Sequence, residues 1–290
     1  MPSFLSNLFN TKGSVDAPLG ATRRVNLSGN YFSFAMPEDF SKDMPAEDLV
    51  ENLDITDLTN FDNPEYGNLI RRWWDIREPG LFGKNLGSVM LDISVQRVPE
   101  NKRKKIHSKP FNIIDRLDLL LIINESLHQR YDNLIEQTKH LSDDMRYTIS
   151  GVAYLIGKKL ETEYRDYIYN NQKWIGYSAS APISQLIVGL VTPLTHNLYI
   201  EAVFSYTSSQ GVLPKTFLES ARKKTIEISK EFRLECGASN SLKILVMKKG
   251  WKEITNNQIV QQNQDIFLFH YLALIFTRGF LCKTSKSLKQ

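Results

Sequence analysis

The chain has 290 residues, 42% of them hydrophobic, with 36 lysines and arginines against 32 aspartates and glutamates. That length and apolar content can supply cores for two domains of about 100–150 residues each. A formal net charge of +4 is too small to provide the concentrated basic face that nucleic acid requires, and two distant cysteines, Cys236 and Cys282, exclude a disulfide framework and point to a reducing compartment.

Residues 1–22 carry a short apolar stretch, Phe4 to Phe9, with no basic region ahead of it. A secretory signal needs both a positive start and a longer apolar run, so the expectation is a flexible leader on a cytoplasmic protein. Arg23 to Phe40 reads as a strand entering a turn, with Tyr31, Phe32 and Phe34 giving way to Met36-Pro37. Proline fixes φ and removes a donor, so the strand should end near Ala35 or Met36. From Glu38 to Glu65 there are ten carboxylates and one lysine, Lys42, the strongest local charge bias in the chain. Asn68 to Ile76 follows, with Trp73 and Trp74 side by side, and then a turn at Pro79-Gly80.

Ser88 to Gln96 alternates, Val89, Leu91, Ile93 and Val95 facing one way, the period-two signature of a half-buried strand. After a basic loop, Lys102 to Lys105, the residues Leu117, Leu120, Leu121, Asn124, Leu127, Tyr131 and Leu134 recur every three or four positions. That spacing predicts a helix buried against the first sheet, and the chain is expected to divide near His140 to Asp144. Beyond it, Met145 to Leu160 reads as strands split at Gly151, and Glu161 to Tyr169, Lys173 to Ser180 and Gln185 to Thr192 extend a second sheet. Asn197 to Tyr206 alternates again, with Leu198, Ile200, Ala202, Phe204 and Tyr206 on one face. A helix after Pro214 carries Phe217, Leu218, Ala221, Thr225 and Ile228 on one side and Arg222, Lys223 and Lys224 mostly on the other. Phe232 to Leu234 should then close the unit.

A strand, a proline-marked loop and a helix therefore occur twice. The predicted class is α+β, with two related domains, each an antiparallel sheet packed against one or two helices. The predicted divisions are a leader over 1–22, domains over 23–142 and 143–240, and a tail over 241–290. In that tail Ile266 to Cys282 is apolar but short for a spanning helix and contains Arg278, which is costly in a membrane. It is expected to be a buried or partner-covered terminal helix, with weak membrane contact as the alternative.

No residue pattern marks a catalytic, cofactor or metal site. Gly176-Tyr-Ser178-Ala-Ser180 resembles a nucleophile elbow but runs into Ala181-Pro182 rather than a helix, as that elbow requires. Gly80 to Lys84 has two residues between its glycines where a phosphate loop has four. The five histidines are scattered, and His128 with Asp132 is a single surface pair. The acidic segment lacks the D-x-D-x-D-G spacing of a calcium loop and reads either as a solvated flank or as an electronegative surface for a basic protein partner. The predicted contact residues are Glu47, Asp48, Glu51, Asp54 and Asp57, joined by whichever of Trp73 and Trp74 is not core, since adjacent residues in a strand face opposite sides and tryptophan favours binding hot spots.

The run Gly29-Asn-Tyr-Phe-Ser-Phe-Ala-Met-Pro37, the stretch Tyr147-Thr-Ile-Ser-Gly151 and the segments Leu198 to Tyr206 and Phe232 to Ala238 give the region 23–238 a pattern that resembles the two-domain immunity proteins that neutralise type VI secretion effectors, in particular those cognate to lipase effectors. The resemblance implies a bacterial protein that clamps a cognate effector and occludes its active site, with no chemistry or cofactor of its own. The same opening, a strand reaching Met36-Pro37 before an acidic turn, is also similar to the Mog1/PsbP-like fold, which implies an effector chaperone that receives apolar helices. A large exposed apolar groove would favour the chaperone, and a charged face the inhibitor.

Overall fold

The computed structural model describes residues 17–41, 47–57, 59, 66–77, 84–98, 112–138, 161–181, 185–208 and 215–237. The basic loop Lys102 to Lys105, the expected strands of 145–160, the glycine pair Gly80 and Gly83 and the apolar segment 266–282 lie outside these residues. The chain divides into two units, Met1–Lys248 and Lys249–Gln290, and every described residue belongs to the first.

The chain opens with a tight hairpin, β1 (Arg23–Leu27) and β2 (Asn30–Phe34), where a single strand was expected. Ser28 and Gly29 both have positive φ, 52° and 84°, the conformation of a two-residue hairpin turn whose twist matches its strands. β3 (Asn52–Leu53) pairs parallel with β1, and β10 (Arg233–Glu235) pairs antiparallel with β2, giving a four-stranded sheet in the order β10-β2-β1-β3.

A larger, wholly antiparallel sheet contains β4 (Tyr66–Arg77), β5 (Asn85–Arg97), β6 (Glu161–Tyr169), β7 (Gln172–Ala181), β8 (Gln185–Pro193) and β9 (Leu198–Ser208), in the order β4-β5-β9-β8-β7-β6. The two helices are α1 (Arg116–Thr138) and α2 (Lys215–Lys230). The α+β class is as expected, but each sheet takes strands from both sides of the expected boundary at 142/143. β5 and β9, the two alternating strands, lie side by side from Gly87↔Ser208 to Arg97↔Leu198, and β10, expected to close the second sheet, joins the first hairpin.

The physical reason is that both long strands carry an apolar stripe in the same phase. Val89, Leu91, Ile93 and Val95 face the same side as Ile200, Ala202, Phe204 and Tyr206, and all eight are almost completely buried. Pairing them makes one continuous apolar surface, and the four-stranded sheet and α2 cover it. Phe32 of β2 packs on Trp174 of β7 and on Phe232, with ring centroids 6.2 and 5.5 Å apart. Phe217, Leu218, Ala221 and Ile228 of α2 complete the same core, α2 lying against β4 and β5. Lys224, expected on the polar side of α2, is buried, its Nζ donating to the Ala17 carbonyl at 2.9 Å and pairing with Glu227.

The opposite face is covered by α1, through Leu119, Ile122, Ile123, Leu127 and Tyr131. Here too the outcome differs from the expected packing on the strands that precede the helix. Arg116 and Asn124 bond to Asp166 and Tyr164 of β6, and Arg130 to Glu201 of β9, so α1 crosses the strands of the second half. Leu117 and Leu121, assigned to the buried stripe from spacing, are exposed. Each helix thus covers strands from the other half, on opposite faces of one sheet.

This interlacing has a measurable consequence. Truncating Phe204, wholly buried in β9 between contributions from both halves, is expected to cost about 3–5 kcal/mol. Urea melts of Phe204→Ala followed by tryptophan fluorescence and by circular dichroism should shift together as one transition.

Candidate functional site

The acidic segment is a strap across the edges of both sheets. The backbone amide of Ser41 donates to the carbonyl of Trp73, that of Glu47 to Arg71 and that of Val50 to Leu69, covering the outer edge of β4. At the next residue the strap changes sheets: the Glu51 carbonyl accepts from Asn26, and Asn52 and Leu53 become β3 beside β1. Leu53 and Ile55 are buried, so Asp54 between them turns outward, as alternation dictates.

Of the predicted contact residues, the strap brings together Glu47, Asp48, Glu51, Asp54 and Asp57. Their surroundings separate them into two groups. Glu47 is half-buried and holds Arg71 Nη1 at 2.7 Å, while Arg71 Nε reaches Asp92 of β5 at 2.7 Å. The Asn68 side-chain amide also donates to Glu47, and Arg72 donates to its carbonyl. Glu47 therefore fastens the strap. Asp48, Glu51, Asp54 and Asp57 are exposed. Asp48 lies 3.2 Å from Arg72 Nη2, yet its side chain is fully open to solvent, so this contact adds little to stability. Arg72 itself is buried, its guanidinium 4.5 Å from the Phe40 ring.

Asp54 is the best organised of the exposed carboxylates. Its Oδ1 accepts from the Thr56 hydroxyl at 2.6 Å, the Thr56 amide at 2.9 Å and the Ser28 hydroxyl at 2.8 Å. Those donors, Thr56 first, hold its pKa down at about 2. Asp57 repeats the pattern with the Thr59 hydroxyl and amide at 2.8 and 2.9 Å. Both therefore present fixed negative charge on an ordered turn.

Trp74 is wholly buried and is the core member of the pair. Trp73 is partly exposed and points with Arg71 and Asp75 to the face opposite Trp74, leaving it the aromatic candidate for a partner. A bulge between Asn68 and Ile70 sets which of the two faces inward.

Sequence reasoning missed a second polar cluster, on the α1 face of the large sheet. Glu201 is buried in β9; its Oε1 accepts from the Tyr177 hydroxyl at 2.8 Å and its Oε2 from Arg130 at 2.7 Å. Burial and the Glu201 charge push the Tyr177 hydroxyl well above its ordinary value, and the same charge raises Arg130. Tyr177 reaches Glu201 because its ring lies over Gly189 of β8, where a Cβ would collide with it. The signal available in the sequence was Gly189 itself, a glycine in the middle of an apolar strand, which marks a close approach. Nearby Asp92 is pushed upward by burial, against the pull of Arg71.

As chemistry, these carboxylates are committed. Glu47, Asp92 and Glu201 each hold a guanidinium that also ties elements together, which is the work of a fastening rather than of an acid–base pair. Ser178 of the elbow-like sequence sits within β7, opposite Val188. Among the described residues, no group of three histidines, cysteines or carboxylates could hold a metal ion, and no helix is long and apolar enough to cross a membrane. No family model matches the chain, and no curated protein matches it in sequence.

Two outcomes follow from this geometry. In a carbon-detected NMR titration the Asp54 carboxyl should titrate near pH 2. Because its folded value lies below the unfolded 3.8, its contribution to stability is present above about pH 4 and is lost as the pH falls toward 2, and Asp54→Asn should flatten stability across that window. Removing Arg130 strands a buried carboxylate, a loss of about 3–5 kcal/mol for a fully dehydrated pair. The Arg130 side chain is 45% exposed, so Arg130→Ala should cost about 2–3 kcal/mol in urea, and Glu201→Gln, which keeps an acceptor for Tyr177, should cost less.

Proposed function

We propose that this chain is a stoichiometric binding protein whose strap face covers a basic surface on a protein partner, the role of an immunity protein that occludes a cognate type VI secretion effector. The observation that carries the reading is the strap itself. Asp48, Glu51, Asp54 and Asp57 project from a backbone hydrogen-bonded to β1 and β4, so four like charges are held on a rigid support rather than on a mobile loop. A fixed field of one sign speeds encounter with an oppositely charged protein and rejects others, and preorganised contacts avoid the ordering cost of association. Partly exposed Trp73 lies on the strand that the strap covers and is the aromatic residue proposed to join the contact.

The effector-chaperone reading calls for a large apolar groove. Among the described residues the exposed large apolar side chains are Leu117 and Leu121, on α1 rather than on the strap, and occlusion by the acidic face is therefore preferred. On this reading the partner is a cognate effector in the cytoplasm of a bacterium, and no cofactor takes part.

The test is co-expression with the product of the adjacent gene, scoring survival, co-purification and any toxic activity of that product. Rescue with an inactive one-to-one complex is the expected result. Replacing Asp48, Glu51, Asp54 and Asp57 by lysine should weaken that complex at least tenfold and flatten its salt dependence, while Glu47, which fastens the strap, is left in place. Unchanged affinity would mean that the contact lies elsewhere, and a complex with an active toxin would point to the chaperone.

A further inference from the structure

The strap covers β4, one end of the large sheet, whereas β6, at the other end, has a neighbour on one side among the described residues. The small sheet ends in strands of two and three residues, so among the described residues β6 is the long strand with no neighbour on its outer side. An edge strand of this kind is a template for pairing with another chain, and proteins usually blunt it with proline, charged side chains (lysine above all), a bulge or a covering segment; the charges of β6 are of both signs and can pair with one another. β6, ETEYRDYIY, has no proline, glycine or lysine, and its register with β7 runs unbroken from Glu161↔Ser180 to Tyr169↔Gln172.

Which backbone groups are free follows from the hairpin. Asn170 and Asn171 both have positive φ, 49° and 62°, so β6 and β7 meet in a two-residue turn, and Tyr169 and Gln172 form its closing hydrogen-bonded pair. Hydrogen-bonded sites alternate along an antiparallel pair. Tyr169, Tyr167, Arg165 and Glu163 therefore bond to β7, and Thr162, Tyr164, Asp166 and Ile168 direct their amides and carbonyls outward.

We propose that β6 pairs antiparallel with β6 of a second copy of this chain, Tyr164 facing Tyr164 across the two-fold axis, so that the two large sheets become one. Charge selects both the occupant and the register. Glu163 and Arg165, two apart on one face, lie 3.9 Å from each other within the strand. With Tyr164 on the axis, Glu163 of each copy lies directly opposite Arg165 of the other, twice over, at non-hydrogen-bonded sites where side chains are closest. Registers centred on Glu163, Arg165 or Asp166 set like charges against each other.

The exposed leucines supply a second, independent argument. Arg116 and Asn124 of α1 sit on β6, bonded to Asp166 and Tyr164. Leu120 lies between them at helical spacing, and Leu117 and Leu121 lie one step further round the helix, away from the buried stripe. The first turns of α1 thus flank the open edge with an apolar surface, of which Leu117 and Leu121 are the exposed large side chains. A two-fold axis perpendicular to the sheet through Tyr164 puts α1 of both copies on the same face, where these leucines meet across the axis. An unrelated strand added to β6 would satisfy the backbone but would leave Leu117 and Leu121 uncovered.

The experiment is sedimentation equilibrium on the full chain. The wild-type chain should be a dimer. Arg165→Glu, which sets Glu163 against a new carboxylate, should weaken the dimer at least tenfold, and the exchanged pair Glu163→Arg with Arg165→Glu should restore it. Leu117→Glu with Leu121→Glu alters exposed positions that the monomer fold does not need, and should also yield monomer with an unchanged circular dichroism spectrum. A wild-type monomer at every concentration would overturn the proposal, as would a dimer indifferent to Arg165→Glu or one that the exchanged pair fails to restore. None of these outcomes depends on an effector, so they leave the proposed function to its own test.

Discussion

The pairing of β5 with β9 is the constraint on which the rest of the molecule depends. These strands carry the apolar stripes of the two halves, and placing them side by side makes a single surface too wide for either helix alone. The four-stranded sheet and α2 close it on one side and α1 covers the other. Because α1 follows β5 but lies on β6 and β9, and α2 follows β9 but lies on β4 and β5 as well as on Tyr206 of β9, each half helps to bury the strands of the other. β10, which reaches back to β2, adds a further crossing contact. Such long-range pairing is slow to form, but once formed it makes the described strands of the two halves a cooperative unit.

Partly buried charge in this protein serves the same end. Arg71 joins the strap to β5 through Glu47 and Asp92, and Arg130 joins α1 to β9 through Glu201. A buried ion pair contributes little net free energy relative to an apolar substitute, whereas losing one partner is costly. These pairs therefore fix which elements meet more than they add to stability. The strap shows the division of labour along one segment: Glu47 faces inward to an arginine, and Asp48, Glu51, Asp54 and Asp57 face solvent.

The period-two stripes of β5 and β9, the helix after Pro214 and the break at Met36-Pro37 were all legible in the sequence, because each depends on local spacing or on backbone stereochemistry. The hairpin turn at Ser28-Gly29 was also written there as a turn dipeptide, overlooked because the aromatic run after it dominates the segment. What local pattern could not supply was adjacency. An apolar stripe declares that a face is buried, not which strand lies beside it, and the repeated strand, loop and helix look the same whether each helix covers its own half or the other. Phase was lost in two places. The bulge at Asn68 to Ile70 decides that Trp74 rather than Trp73 faces inward, and Leu117 and Leu121 are apolar at positions turned away from the core. The acidic bias was visible, but its use as a strap rests on backbone hydrogen bonds that carry no residue signature, and the Glu201 cluster assembles from Arg130, Tyr177 and Gly189, residues with no local relation.

Native-state hydrogen exchange on the full chain, followed as denaturant rises, tests the interlacing most directly. Amides of Val89 to Val95 in β5 and of Ile200 to Tyr206 in β9 should be among the slowest and should open together, converging on one opening free energy. Separate opening of the strands before residue 142 and of those after it would contradict this account and restore two independent domains.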